Sequence, residues 1–84
     1  MTNKEILKKQ IIYRSIHRGT KEMDLLLSSF VKKYIDVLNY EDLMDLGKLL
    51  LIDDDIIYKW YLKNEIVNSF PKTKVCRMLK DFKI

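Results

Sequence analysis

The side chains best suited to chemistry lie together in one short segment, His17-Arg18-Gly19-Thr20-Lys21-Glu22. His17, the only histidine, could carry a proton or make a polar contact. Arg18 has a planar fork of donors that can bind a carboxylate or a phosphate through paired hydrogen bonds. Gly19 leaves space for another backbone to come close, and Glu22 could accept donors from a partner or orient Arg18. We favour a contact surface here over acid–base chemistry by His17.

A purely structural role for the same residues is the alternative. Arg18 and Glu22 are four positions apart, so in a continuous helix they could form a surface ion pair worth about 0.2–0.5 kcal/mol. Gly19 argues against a continuous helix, because glycine inside a helix costs about 1 kcal/mol relative to alanine. A break or tight turn is therefore predicted at Gly19.

Other kinds of site find little support in the sequence. Cys76 is the only cysteine, which excludes an intramolecular disulfide and a Cys-rich zinc site. It is predicted to be a small apolar residue of the last helix. We find no Gly-rich phosphate loop and no metal-ligand spacing, so we predict no catalytic residue, no metal site and no enzyme. Trp60 and Tyr61 are predicted to pack in the core.

The charges of the chain are arranged in three blocks. Residues 1–21 carry six Lys/Arg and one acid, residues 22–58 carry three lysines and nine acids, and residues 59–84 carry seven Lys/Arg and two acids. Basic ends around an acidic middle predict either pairing within a helical bundle or a mixed-charge protein interface. Nucleic-acid binding is not favoured, because it needs a basic face. The net charge of +4 nevertheless keeps a nucleic-acid-linked regulator of the antitoxin type as the alternative function.

Five short helices are predicted to position the contact segment. The chain has 84 residues with only two glycines and one proline, which disfavours a sheet fold and fits one small domain spanning residues 1–84. We therefore predict an all-α fold, a small antiparallel bundle. Ser69-Phe70-Pro71 is predicted to break the pattern before the last helix. Hydrophobic periodicity places the helices at residues 4–16, 21–34, 40–51, 55–63 and from about 73 onward. In the second helix it predicts a buried stripe of Met23, Leu26, Leu27, Phe30, Val31 and Tyr34.

Capping residues predict where these helices begin. Thr20 and Asn39 suit the N-cap positions of the second and third helices, and Asp53 and Asp54 suit that of the fourth. Gly47 lies on the predicted apolar side of the third helix, where it would allow a neighbouring helix to approach closely. The apolar side predicted for the third helix consists of Tyr40, Leu43, Met44, Gly47, Leu50 and Leu51.

The stretch Tyr13-Arg14-Ser15-Ile16-His17-Arg18-Gly19-Thr20-Lys21-Glu22-Met23-Asp24-Leu25-Leu26-Leu27 resembles a known family. It is similar to the succinate dehydrogenase assembly factors, or flavinators, whose signature is Arg-Gly-x-x-Glu followed by an apolar helix. Arg18, Gly19 and Glu22 fill the three signature positions. The stretch Leu49-Leu50-Leu51-Ile52-Asp53-Asp54 resembles the family's acidic turn, although Asp54-Asp55-Ile56 stands where the family often has Asp-Pro-Asp.

The resemblance implies a five-helix fold and a chaperone-like role. Members of the family bind the flavoprotein subunit of succinate dehydrogenase, and in some bacteria that of fumarate reductase. They promote the bond between FAD and a histidine of that subunit, so FAD would be a cofactor of the partner and this chain would hold none stably. A monomer docking one-to-one is the simplest arrangement. The residues predicted to contact the partner are Tyr13, His17, Arg18, Gly19, Glu22, Asp24 and Asp54.

The location of the protein is predicted from what the sequence lacks. No apolar run approaches the roughly 18 residues of a membrane span. The chain shows neither a secretory apolar region nor an Arg/Ser-rich transit character. The His-Arg-Gly-Thr-x-Glu-Met-Asp form of the signature looks like the bacterial branch of the family. We therefore expect a cytosolic protein of bacterial type.

Overall fold

Helices dominate the fold. The structure is a computed structural model that describes residues 2–63 and 70–83, and in these ranges it has no β-strand. The prediction of a small all-α bundle of five helices is confirmed. Ser69, part of the predicted break before the last helix, lies outside the described residues. The helices are α1 (Asn3–Ser15), α2 (Lys21–Tyr34), α3 (Tyr40–Leu49), α4 (Asp54–Leu62) and α5 (Lys74–Asp81).

Side-chain caps start α2 and α3 as predicted. Thr20 and Asn39 each accept a hydrogen bond from the backbone N–H three residues later, at 3.2 and 2.8 Å. The prediction for α4 is wrong in detail. Asp53 is the residue before that helix, but its side chain makes no capping hydrogen bond. Asp54 is the first residue of α4, and its carboxylate accepts a hydrogen bond from Arg18 instead of capping the helix.

The apolar side predicted for α3 is partly wrong. Leu46 and Leu49 are fully buried, whereas Tyr40, Met44 and Leu51 are exposed. The reason is that α3 packs against both α1 and α5, so its buried side is set by two neighbours rather than by one stripe. The buried apolar residues of the core are Ile11, Met23, Leu26, Leu27, Phe30, Val31, Ile35, Leu38, Leu43, Leu46, Leu49, Leu50, Ile57, Phe70, Val75, Cys76 and Leu79.

Gly47 lies where α3 meets α1. A Cβ atom at this position would be 3.4 Å from an Nη atom of Arg14 and 3.8 Å from a methyl carbon of Leu7. The Arg14 guanidinium also donates to the Gly47 carbonyl at 3.4 Å. The predicted close approach of a neighbouring helix is therefore confirmed, and that helix is α1.

Ion pairs connect the three charge blocks. Among the described residues, three long-range pairs each join a basic end of the chain to its acidic middle: Lys8–Asp36 (3.1 Å), Arg18–Asp54 (2.6 Å) and Lys74–Asp42 (3.6 Å). Pairing within the bundle, one of the two predicted explanations for the blocks, is thus observed. In the same ranges, none of the helices has the length and apolar character that crossing a bilayer requires.

Candidate functional site

Arg18 lies in the connection between α1 and α2, and its guanidinium reaches the turn between α3 and α4. Nε donates to Asp54 Oδ1 at 2.7 Å, and one Nη donates to the carbonyls of Arg14 and Leu50, both at 2.8 Å. The other Nη donates to the Ile52 carbonyl at 3.1 Å and lies 2.6 Å from Asp54 Oδ1. A guanidinium has five N–H donors, so every donor of Arg18 has an acceptor inside the protein.

Gly19 binds the same carboxylate as Arg18. Its backbone N–H donates to Asp54 Oδ2, so the two oxygens of Asp54 are held by the two residues of the Arg-Gly pair. A Cβ atom on Gly19 would lie 3.0 Å from that Oδ2 atom, a distance that requires the carboxylate to move. Within the chain, the group that comes close to Gly19 is thus a side-chain carboxylate, and the approach of a partner backbone stays a prediction.

His17, rather than Gly19, has the unusual backbone conformation in this connection. Its φ angle is 58°, in the left-handed region, and neither glycine of the described chain has a positive φ. That conformation costs most residues about 1–2 kcal/mol, and His tolerates it better than most. His17 follows Ile16, the C-cap of α1, at the position where helices most often place glycine. The chain is non-helical from Ile16 to Thr20, so the break predicted at Gly19 is confirmed, and the left-handed residue within it is His17.

An open groove of about 470 Å³ lies beside Arg18, and we call it the Arg18 groove. Two of its apolar side chains are exposed to solvent, Tyr13 at 72% and Leu51 at 66%. Exposed apolar groups around a polar floor are typical of surfaces that bind other proteins. The groove is lined by Tyr13, Arg14, Ile16, His17, Arg18, Gly19, Leu50, Leu51, Ile52, Asp53 and Asp54.

A second groove of about 740 Å³ lies along the first turns of α2, and we call it the Leu25 groove. Leu25 is 55% exposed. Glu22 and Asp24 lie in the first turn of α2, where the helix dipole favours negative charge. The groove is lined by Ile16, His17, Lys21, Glu22, Asp24, Leu25 and Ser28. Ile16 and His17 line both grooves, so the two grooves adjoin at these residues.

The structure brings all seven predicted contact residues to these two grooves. Tyr13, Arg18, Gly19 and Asp54 line the Arg18 groove, Glu22 and Asp24 line the Leu25 groove, and His17 lines both. The alternative helical ion pair between Arg18 and Glu22 does not form, because Arg18 pairs with Asp54. Glu22 is exposed and makes no ion pair with a described residue. Partner binding by the seven residues stays a prediction.

The contact between Arg18 and Asp54, which are 36 positions apart, was not predicted from the sequence. The opposite charge blocks predicted pairing but could not say which residues pair. The exposure of Leu25 was not predicted either, although Leu25 lies outside the predicted stripe of α2. Leu51 was assigned to the buried side of α3, yet it lies beyond the last helical turn and is exposed.

Trp60 packs against the core, as predicted. Its ring stacks on Phe70 with the centroids 4.1 Å apart and an interplanar angle of 15°, and the Lys80 ammonium lies 5.0 Å from its centroid. Cys76 is buried, which agrees with its predicted role as a small apolar residue. Within residues 2–63 and 70–83, no three His, Cys, Asp or Glu side chains are arranged to hold a metal ion.

Comparison with known protein families shows where this arrangement belongs. The sequence model of a family described as "Flavinator of succinate dehydrogenase" matches residues 9–83. The chain belongs to this family. The resemblance inferred from Arg18, Gly19 and Glu22 is therefore confirmed, and the matched region includes the Arg18 groove and the Leu25 groove.

Relatives of this chain include yeast proteins named "Succinate dehydrogenase assembly factor 2, mitochondrial". It is 36% identical over 80 residues to the protein from Lodderomyces elongisporus and 39% identical over 77 residues to that from Debaryomyces hansenii. It is 38% identical over 87 residues to the protein from Saccharomyces cerevisiae (strain ATCC 204508 / S288c). These matches cover 90%, 90% and 96% of this chain, but 49%, 54% and 54% of the relatives. The chain thus spans about half the length of the curated relatives it matches. No solved structure matches it.

The relatives correct the prediction of location. A cytosolic protein of bacterial type was expected, but these flavinators are yeast proteins with mitochondrial in their names. That prediction rested on the lack of secretory and transit character in the 84 residues and on the bacterial-type form of the signature. The 84 residues correspond to only about half of each relative's length, so their composition does not decide the location.

Proposed function

We propose that this chain binds the flavoprotein subunit of succinate dehydrogenase and promotes the covalent attachment of FAD to it. The observation that carries the proposal is the assembly of the signature residues. Arg18 and Gly19 hold Asp54 from a distant turn, and Glu22 lines the adjoining groove. Membership of a family described as a flavinator of succinate dehydrogenase supports the choice of partner.

Arg18 has an internal role in this proposal. Since each of its donors already has an acceptor in the chain, binding a partner carboxylate or phosphate would require breaking those hydrogen bonds. Arg18 instead fixes the α1–α2 connection against the α3–α4 turn, which holds the two sides of the Arg18 groove in place. Direct contact is left to exposed side chains, of which Tyr13 and Glu22 are the clearest.

The contribution of the chain to flavin attachment is positioning. A rigid surface that holds a segment of the flavoprotein subunit would keep FAD and the acceptor histidine aligned while the bond forms. Correct placement of reacting groups can account for a large part of a rate enhancement, because the entropy of bringing them together is lost in advance. We therefore assign this chain no catalytic residue and no resident cofactor. The reacting histidine and the FAD belong to the partner.

The nucleic-acid alternative has less support. Three basic residues of the chain ends pair with carboxylates of the acidic middle. Three further lysines lie within 6 Å of aromatic ring centroids, where they stabilise the bundle: Lys33, Lys80 and Lys83. Much of the positive charge therefore serves the fold. A mobility-shift assay should show no binding of DNA or RNA at low salt.

The flavin content of the partner subunit provides the test. In cells that lack their own assembly factor, Glu22→Ala should lower the covalent flavin on the co-expressed subunit, measured by its fluorescence in a denaturing gel. Losing one charged hydrogen bond weakens binding by roughly tenfold or more. Glu41→Ala is the matched control, because Glu41 is also exposed and holds the equivalent place in the first turn of α3. It should support wild-type fluorescence.

The remaining outcomes distinguish an error in the proposed function from an error in the role of Glu22. If the wild-type chain fails to raise the flavin fluorescence of the subunit, the proposed function is wrong. If wild type and both variants raise it equally, the function stands but Glu22 is not a contact. Gly19→Arg is a weaker test, because any side chain at Gly19 also disturbs the Asp54 carboxylate.

A further inference from the structure

The left-handed conformation of His17 is not explained by the fold. The His17 side chain is exposed and makes no hydrogen bond or ion pair with any described residue. The carbonyls at the end of α1 are satisfied by other groups: Ser15 Oγ donates to Ile12 O, the Ile16 N–H to Tyr13 O, and the Arg18 guanidinium to Arg14 O. The end of α1 therefore makes no use of the imidazole.

Glycine or asparagine would meet the backbone requirement of this position at least as well as histidine. Glycine is the usual residue after a helix C-cap, and asparagine is the most common alternative. Residues held in sparsely populated backbone regions cluster at binding and active sites, where the cost is tolerated for function. The presence of His17 at a position that favours glycine thus points to a use for its side chain outside the fold.

The surroundings of His17 indicate what that use is. His17 lies at the shared border of the Arg18 groove and the Leu25 groove. The first groove has the exposed side chains of Tyr13 and Leu51, and the second has that of Leu25. A partner that covers both grooves must bury these apolar groups and satisfy the imidazole between them, since a buried polar group without a hydrogen bond is costly.

We propose that the His17 imidazole is a specificity-determining contact for the flavoprotein subunit. It hydrogen-bonds a backbone amide or carbonyl group of a partner segment whose apolar side chains enter the two grooves on either side. A neutral imidazole has one donor and one acceptor, so it can bind either backbone group. The inference rests on the proposed function and names the chemistry by which the partner is recognised.

Three substitutions distinguish the effect of the His17 backbone conformation from that of its imidazole. His17→Gly and His17→Asn suit the left-handed conformation, so their melting temperatures should equal the wild-type value or exceed it by a few degrees. His17→Ala lacks that backbone preference and should melt at or below the wild-type temperature. All three variants lack the imidazole contact. They should bind the purified flavoprotein subunit roughly threefold to tenfold more weakly in calorimetric titrations.

The control is Val37→Ala, a truncation of a 72% exposed side chain in the connection between α2 and α3. It should bind the subunit like wild type. If His17→Gly and His17→Asn bind as tightly as wild type, the inference is overturned. It is equally overturned if those two variants melt several degrees lower, because the imidazole would then serve the fold. If the folded wild-type chain does not bind the subunit at all, the proposed function fails, and this inference with it.

Discussion

The two connections on either side of α2 have the same length and both end in an N-cap residue, but different hydrogen bonds hold them in place. Residues 16–20 join α1 to α2, and residues 35–39 join α2 to α3. Each ends in an N-cap side chain. The second connection is closed locally, because the N–H groups of Val37 and Leu38 both donate to the Tyr34 carbonyl, at 3.0 and 3.2 Å.

The first connection is held by hydrogen bonds to residues that are distant in the sequence. Arg18 and Gly19 bind groups of the α3–α4 turn, more than thirty positions away in the chain. His17 adopts a left-handed conformation within it. The second connection buries Ile35 and Leu38 in the core, whereas in the first Ile16, His17 and Gly19 stay exposed. The candidate contact surface is thus built from long-range polar contacts, and the connection beside it places no apolar side chain in the core.

The largest expected difference in unfolding free energy concerns the ion pair that joins each connection to the rest of the fold. Arg18–Asp54 ties the first, with side chains 11% and 20% exposed, and Lys8–Asp36 ties the second, with side chains 27% and 85% exposed. Arg18→Ala should lower the free energy of unfolding by about 2–4 kcal/mol, because Asp54 Oδ1 and three carbonyls lose their donor and only the Gly19 N–H still binds Asp54. Lys8→Ala should cost at most about 1 kcal/mol. Urea unfolding measures both values, and similar losses would contradict the contrast.

The next difference concerns the two glycines. Gly19→Ala should lower the free energy of unfolding by about 1–2 kcal/mol, because its Cβ would press on the Asp54 carboxylate that Arg18 holds. Gly47→Ala should have the opposite sign and raise it by up to about 1 kcal/mol. Its Cβ would touch α1 at 3.4 Å or more, and the nearest atom is the end of a flexible Arg14 side chain. A stabilising Gly19→Ala would show that the carboxylate is not firmly held.

The smallest difference is expected where the two connections are alike. Thr20→Ala and Asn39→Ala each remove a side-chain oxygen that caps a helix, so each should cost about 1 kcal/mol of unfolding free energy. Equal losses in urea titrations would show that the ends of the two connections are equivalent. A clearly larger loss for Thr20→Ala would mean that the long-range contacts of Arg18 depend on the start of α2.

Local patterns predicted the parts of the fold that depend on neighbouring residues. The stripe of α2 from Met23 to Val31 and the caps Thr20 and Asn39 follow from spacing and residue type, and the structure confirms them. The apolar side of α3 was partly wrong, because two helices pack on it and periodicity cannot show that. The seven contact residues were found from the family signature. The ion pair between Arg18 and Asp54 that organises their surface could not be predicted. No local sequence pattern specifies a partner 36 positions away.

The stack of Trp60 on Phe70 gives the protein its own optical reporter of folding. Trp60 is the only tryptophan of the sequence. Its ring is half-buried against Phe70, so exposure to water on unfolding should shift its emission to longer wavelength. Neither groove includes Trp60. Substitutions at His17, Arg18 or Glu22 therefore leave the fluorophore's surroundings intact, and the unfolding of every variant can be followed by the emission of one native, unlabelled residue.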